Sequence, residues 1–363
     1  MTYTFYIGTY TRKEDHVDGK AEGIYIYTFN PESLRFTRLY TQTGITNPSF
    51  VAVSKDRRYL FAVSETDTFR ASESAPGTGA VASYRIHHDN TTLELINIVS
   101  SQGTYPCHVT ADSTGTFLYV ANYITGSIAM YPLNRDGRIR EASSVIQHQG
   151  SSVNPDRQEG PHAHSVNLVP GELGIVAADL GLDKLFVYPV DRRAAALTPP
   201  VCAVEMTPGA GPRHLEFHQS GRYAFCANEL SSTVTALAYN PGNCHLTAFQ
   251  EVSTLPSDFT GESAAADIHL HPNGTYLYVS NRGHDSIAIF RVDPLSGNLE
   301  LLRTESTRGK TPRNFTISPN GNYLFAANQD SSSISTYRID ADSGMLGYLS
   351  TETVPTPVCL VIG

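Results

Sequence analysis

Apolar and polar residues alternate with a period of two along nearly the whole chain, in short runs separated by turns rich in Gly, Asn and Asp. This is the pattern of half-buried strands, and no stretch carries the 3.6-residue period of an amphipathic helix. The runs are also repeated. Six segments share one template: NPSFVAVSKDRRYLFAVSE (47–65), YPCHVTADSTGTFLYVANY (105–123), AHSVNLVPGELGIVAADL (163–180), GPRHLEFHQSGRYAFCANE (211–229), AADIHLHPNGTYLYVSNR (265–282) and TPRNFTISPNGNYLFAANQ (311–329). Each holds an opening residue, a short strand, a turn, a second strand and a polar stop. A third alternating strand follows most stops, as in SIAMYPL or SIAIFRV, and then a more variable fourth, as in LELINIVS.

Four antiparallel strands per unit, repeated radially, predict an all-β fold of the propeller type. The openings are Pro48, Pro106, Ala163, Pro212, Ala265, Pro312 and Pro357, spaced 45–58 residues apart. The last leads only into PTPVCLVIG, a first strand without partners, whereas TYTFYIGTY, GIYIYTFN and LRFTRLYTQ at the other end are three strands without a first. Joining them predicts a seven-bladed β-propeller spanning residues 1–363 as one domain, closed by its C-terminal strand, which leaves no free sheet edge.

The repeats permit a comparison within one chain. Three residues past the opening every blade is apolar (Val51, Val109, Val166, Leu215, Ile268, Phe315, Leu360), and so it is two further on (Val53, Ala111, Leu168, Phe217, Leu270, Ile317, Ile362). Both sets read as blade-to-blade packing. The two positions directly after the opening vary instead: Ser49-Phe50, Cys107-His108, His164-Ser165, Arg213-His214, Ala266-Asp267, Arg313-Asn314 and Val358-Cys359. At the second-strand stops an Asn or Asp recurs, as in Asn122, Asp179, Asn228, Asn281 and Asn328, which suits capping of the turn into strand three. The residue after it varies, as in Glu65, Tyr123, Glu229 and Arg282. First strands of a propeller line its channel and begin at the face where second strands end. His164, Arg213, His214, Glu229, Asp267, Arg282 and Arg313 are therefore expected around one channel mouth.

Composition narrows the possibilities further. A formal charge of −9 argues against nucleic acid as the main partner, and no apolar run is long enough to span a membrane. Five cysteines (Cys107, Cys202, Cys226, Cys244, Cys359) without CxxC spacing suit a reducing, cytoplasmic setting, and Cys226 reads as a small buried residue. The N-terminal strand lacks the features of a signal peptide.

Charged residues gathered at one funnel need partners or a ligand. Ion pairs such as Arg213 with Glu229 and Arg282 with Asp267 are the structural reading. The functional one is chemistry on a small anionic substrate, with guanidinium forks for phosphate or carboxylate oxygens and a His beside a carboxylate for proton transfer. No nucleophile elbow is present, so a covalent serine mechanism is not expected. His162 and His164 could join Glu229 around a metal, but three arginines at one place disfavour a cation, and neither metal nor cofactor is expected. His162 lies in the loop just ahead of its strand, where it either acts at the rim or faces solvent. His218, His269 and His271 lie further along first strands, in channel or turn positions. The polar stretches 16–23, 66–79 and 147–160 read as loops, and the latter two leave strands on the site face.

GAGPRHLEFH with YAFCANEL, then AADIHLHPNGTYLYVSNR and TPRNFTISPNGNYLFAANQ, resemble the propeller-type 6-phosphogluconolactonases, a family that includes the fungal 3-carboxy-cis,cis-muconate lactonizing enzyme. The resemblance implies a metal-independent lactonase for 6-phospho-D-glucono-1,5-lactone, in the oxidative pentose phosphate pathway. Its catalytic residues would be His164, Arg213, Glu229 and Arg282. His214, Asp267, Arg313 and His162 are the expected substrate contacts. Glu229 or His164 would activate water, Arg213 with His214 would stabilise the oxyanion, and Arg282 with Arg313 would hold the phosphate. The loops 66–79 and 147–160 would border the pocket. A lactonizing cycloisomerase, a lactonase for an unphosphorylated lactone, and a non-catalytic interaction platform are the other readings. Oligomeric state is not legible.

Overall fold

The computed structural model describes residues 2–363. Seven sheets of antiparallel strands follow one another around a ring, and among the described residues there is no helix. Blade 1 begins with Val51–Val53, blade 2 with Pro106–Ala111, blade 3 with Ala163–Leu168 and blade 4 with Pro212–Phe217. Blade 5 begins with Ala264–Leu270, and blade 6 with Pro312–Ile317. Blade 7 joins the two ends of the chain: Pro357–Ile362 pairs with Tyr3–Thr9, which pairs with Ile24–Asn30 and then Arg35–Gln42. The C-terminal strand is thus the innermost strand of a sheet otherwise built by the N-terminus, as expected from the repeats.

The apolar frame holds the blades together. Seven large hydrophobic clusters each straddle one blade–blade junction. The first frame set is buried throughout, from Val51 and Val109 to Leu360. The second set, expected to be equally internal, is only half-buried. It packs on the flank of the same clusters, since the first strands splay as they run down the channel. The recurring Asn does more than cap its turn. Asn122 Nδ2 donates to the Ser101 carbonyl, Asn281 Nδ2 to that of Thr254 and Asn328 Nδ2 to that of Thr307, each in the connection arriving from the preceding blade. Each also donates to a hydroxyl at the start of strand three, so one amide fastens blade to blade.

Two of the polar stretches are more ordered than loops. Residues 66–69 extend the second strand of blade 1, Tyr59–Phe69, and Phe69 pairs with Thr78. The stretch from 16 belongs partly to a small ribbon, Lys13–Glu14 against Val17–Asp18, inserted between the first two N-terminal strands of blade 7. Val17 is buried against Tyr10 and Val358, which fixes the ribbon over the channel mouth.

Candidate active site

The first strands do not enter the channel as regular strands. In six blades the register with strand two slips at the opening, leaving an extra residue: Cys107, His164, Arg213, Ala266, Arg313 and Val358. A β-bulge re-aims a side chain while the ladder continues around it. Just ahead of five openings the backbone is left-handed: Asn47, Tyr105, Gly211, Thr311 and Thr356 have φ between 40 and 67°. For the β-branched Thr311 and Thr356 this costs about 1–3 kcal/mol. The strained turn and the bulge together aim the extra residue at the mouth, and the next residue points into the channel beneath.

The variable positions therefore form two layers. In the upper layer Glu229 is the centre. Its Oε2 lies 3.0 Å from Arg213 Nε and 2.8 Å from Arg282 Nη2, and its Oε1 lies 2.7 Å from Arg157 Nη2. His164 Nε2 stands 3.9 Å from Oε2. Arg213, 2% exposed, also donates through Nη1 to the Ala266 carbonyl at 2.6 Å. Burial would push the Glu229 carboxyl up, but Arg282, Arg213 and Arg157 hold it well below the usual carboxylate range. Burial, and then Arg213, push the His164 imidazole well below its ordinary value, so it is neutral. Arg213 is itself pulled down to about 10 by burial and by Arg282.

The lower layer holds His214 and Asp267, which were expected to touch substrate. His214 Nδ1 and Asp267 Oδ1 are 2.7 Å apart, and Asp267 Oδ2 accepts from Asn314 Nδ2 at 2.5 Å and from the Phe315 amide at 3.2 Å. His269 Nε2 is 3.1 Å from the same oxygen. With both carboxylate oxygens engaged below the mouth, Asp267 is a tie between blades 4, 5 and 6. It does not pair with Arg282. His214 reaches the mouth only through Arg213 Nη1, 3.2 Å from its Nε2. His162 also falls outside the cavity. Its ring stacks on Tyr123 at 4.6 Å, with Nδ1 3.1 Å from the Tyr123 carbonyl and Nε2 3.2 Å from Glu159. It braces Tyr123 and shares no ligand point with His164.

Above the upper layer opens a cavity of about 550 Å³ lined by His164, Glu229, Arg282 and Arg313; Arg213, expected beside them, lies behind Glu229 and lines, with His214, the small hollow beneath. Four further contributions were not singled out in advance. Glu65 and Tyr123 follow the second-strand stops of blades 1 and 2, the position Glu229 occupies in blade 4. Arg157 is carried by the 147–160 segment, which Ser152 Oγ fastens to Asp183 and Gln158 Nε2 to the Leu180 carbonyl. The ribbon adds Glu14, Asp15 and His16. The segment 66–79 does not line the cavity, because its hairpin continues the sheet of blade 1.

The matching family model, that of the seven-bladed β-propeller lactonases, covers residues 4–362. The chain belongs to this lactonase family. It is 37% identical over 313 residues to the 6-phosphogluconolactonase of Bacillus subtilis strain 168, covering 86% of this chain and 84% of that one. The 6-phosphogluconolactonase of Formosa agariphila is 33% identical over 316 residues, 86% of this chain and 85% of that one. Among solved structures, the periplasmic gluconolactonase of Pseudomonas aeruginosa superposes with a TM-score of 0.90 at 34% identity, over 100% of this lactonase and 99% of that chain. The protein is accordingly a lactone hydrolase by family, and the blade-by-blade positions show which of its residues the fold delivers to the mouth.

Proposed function

We propose that the mouth cavity hydrolyses a sugar lactone, 6-phospho-D-glucono-1,5-lactone, to the open acid. The observation that carries this reading is the convergence of Arg213 and Arg282 on Glu229 beside a neutral His164, in a member of the lactonase family. Attack of water on a lactone carbonyl moves negative charge onto the carbonyl oxygen, and donors fixed in advance around that point are the largest usual source of acceleration. Glu229 supplies the fixing. By gripping Arg213 and Arg282 it holds their guanidinium planes in place, and Arg282 Nε is a buried donor without a partner among the described residues. The same grip makes Glu229 a poor base, since the arginines around it hold its carboxyl well below the usual carboxylate range. The neutral ring of His164 can accept a hydrogen bond from the attacking water.

Arg313 supports the phosphate assignment. It lies over the Tyr10 ring at 5.5 Å and has no ion-pair partner among the described residues, so its fork is free for an anion. A lactone without phosphate is the second reading, favoured by Glu14 and Asp15 on the ribbon side of the cavity. The free, mostly buried cysteines support a reducing, cytoplasmic setting, which cell fractionation would check.

The test is to compare kcat/KM for 6-phosphogluconolactone and plain gluconolactone, with spontaneous hydrolysis subtracted. A preference for the phosphorylated lactone that Arg313→Gln abolishes is expected. If the wild-type rate ignores the phosphate, the phosphate assignment falls and lactone hydrolysis stands. No turnover of either lactone above background would refute the function.

A further inference from the structure

Hydrolysis needs a group that takes a proton from water and later returns one to the departing ring oxygen. The residues on the side of blades 3 to 5 are poorly suited to store it: Glu229 is bound by three guanidinium groups, and His164 is buried beside Arg213. On the opposite side of the mouth, blades 6, 7 and 1 carry a second polar group. Glu65 is 6% exposed, and its Oε2 accepts hydrogen bonds from Tyr10 Oη at 2.9 Å and from Ser49 Oγ. Its Oε1 has no hydrogen-bond partner among the described residues, and no cation lies within ion-pair distance. Glu65 lines the main cavity and also the small hollow beneath it, between Cys107 and Arg313.

We propose that Glu65 is the carboxylate that accepts the proton of the attacking water in this lactonase, with Tyr10 as its positioning residue. This rests on the lactone reading of the cavity. Water oxygen bonds to the lactone carbon while its proton passes to Glu65 Oε1. On collapse the ring C–O bond breaks, and the same proton passes from Glu65 to the departing oxygen. That transfer restores the charge on Glu65, and the new carboxylic acid loses its remaining proton, the second one of the attacking water, to solvent. Oε2, held by the phenol and the hydroxyl, fixes the plane of the carboxylate so that Oε1 faces the cavity. The tyrosine remains a donor throughout, since burial raises its phenol well above the ordinary value. The charged and titratable groups facing Glu65 are Arg313 from blade 6, Tyr10 from blade 7, His16 from the ribbon and Cys107 from blade 2.

The experiment measures kcat and KM against pH for wild type, Glu65→Gln and Tyr10→Phe with the phosphorylated and plain lactones. A general base contributes about 10²–10⁴-fold. Glu65→Gln should therefore lose at least 100-fold in kcat with KM changed less than fivefold, and the fall of kcat toward acid pH should vanish. Tyr10→Phe should keep more activity and shift that acid limb to higher pH, because a carboxylate that loses a donor holds its proton more tightly. A purely structural role would move neither limb. If Glu65→Gln retains kcat within threefold, or keeps the wild-type acid limb, the proposal is wrong. Should Glu65→Gln fail to fold, an unmoved acid limb in Tyr10→Phe overturns it. A wild type without turnover would sink the lactone reading itself, which separates that failure from this one.

Discussion

Replacing Glu229 by Gln tests whether one carboxylate organises the mouth. The change keeps the shape and removes the charge that Arg157, Arg213 and Arg282 share at 2.7, 3.0 and 2.8 Å. The Arg157 side chain is 43% exposed, so its pair contributes at most about 1 kcal/mol. The side chains of Arg213 and Arg282 are 3% and 15% exposed, and depriving buried charges of their partner costs about 3–5 kcal/mol. Unfolding entropy of about 2.1 cal/mol/K per residue amounts to roughly 0.76 kcal/mol/K for 363 residues, so Tm should fall by about 4–7 °C.

The sign of the defect can be read as well. Glu229→Gln leaves an excess of positive charge at the mouth, which an added anion can replace. Inorganic phosphate at a hundred times its Kd would return about 2.7 kcal/mol. Thermal melts in phosphate and in chloride at equal ionic strength should show phosphate raising the Tm of the variant by several degrees more than that of wild type. A loss of Tm below 2 °C, or equal phosphate responses in both proteins, would refute the account of Glu229 as the group that holds three arginines in place.

Arg157→Gln should raise KM about tenfold with Tm within 1 °C of wild type, because this half-exposed residue sits on a segment fastened by other contacts; steady-state kinetics and a melt check both. Stability should decline as pH falls from about 6.5 toward 4. Burial lowers His164 and His108 well below the ordinary value and His214 to about 4, so the unfolded chain takes up these protons first. Each contributes up to about 1.4 kcal/mol per pH unit. His269, which Asp267 raises against the effect of burial, is charged in the folded state throughout, so its opposing slope fades as the unfolded imidazole also charges below about pH 6.5. Denaturant titrations of His214→Asn should show a shallower pH dependence. Ending the chain at Thr356 should prevent stable folding, as it removes the strand that closes blade 7 and exposes the sites of Val358 and Leu360. Those two side chains alone account for about 3–6 kcal/mol against a total stability of about 5–15. Circular dichroism of the truncated chain is the check.

The fold was legible because a propeller repeats its own evidence: seven openings, an apolar frame and two incomplete ends leave few other closures. The gathering of charged side chains was legible in the same currency, and to the same limit. Blade comparison places Arg213 and Arg313 after the opening and Glu229 and Arg282 after the stop, and the structure brings Arg213, Glu229 and Arg282 into contact and puts Arg313 on the same cavity wall. Depth in the channel was not legible. Arg213 and His214 are neighbours in sequence and equally polar, yet a bulge that no residue type announces turns one toward Glu229 and the other toward Asp267. The Asp267 carboxylate follows His214 downward, so its charge, which looked available for Arg282, is spent on holding blades together. Glu65 could have been found, since it follows the stop of blade 1 as Glu229 follows that of blade 4. Arg157 and the ribbon have no counterpart in other blades, so the repeat offers no register in which to place them. What is shared among blades thus builds the ring, and what departs in register builds the wall of arginines and Glu229. The segments outside the register decide how the mouth is enclosed, which makes them the place where lactonases of one fold can differ in the lactone they accept.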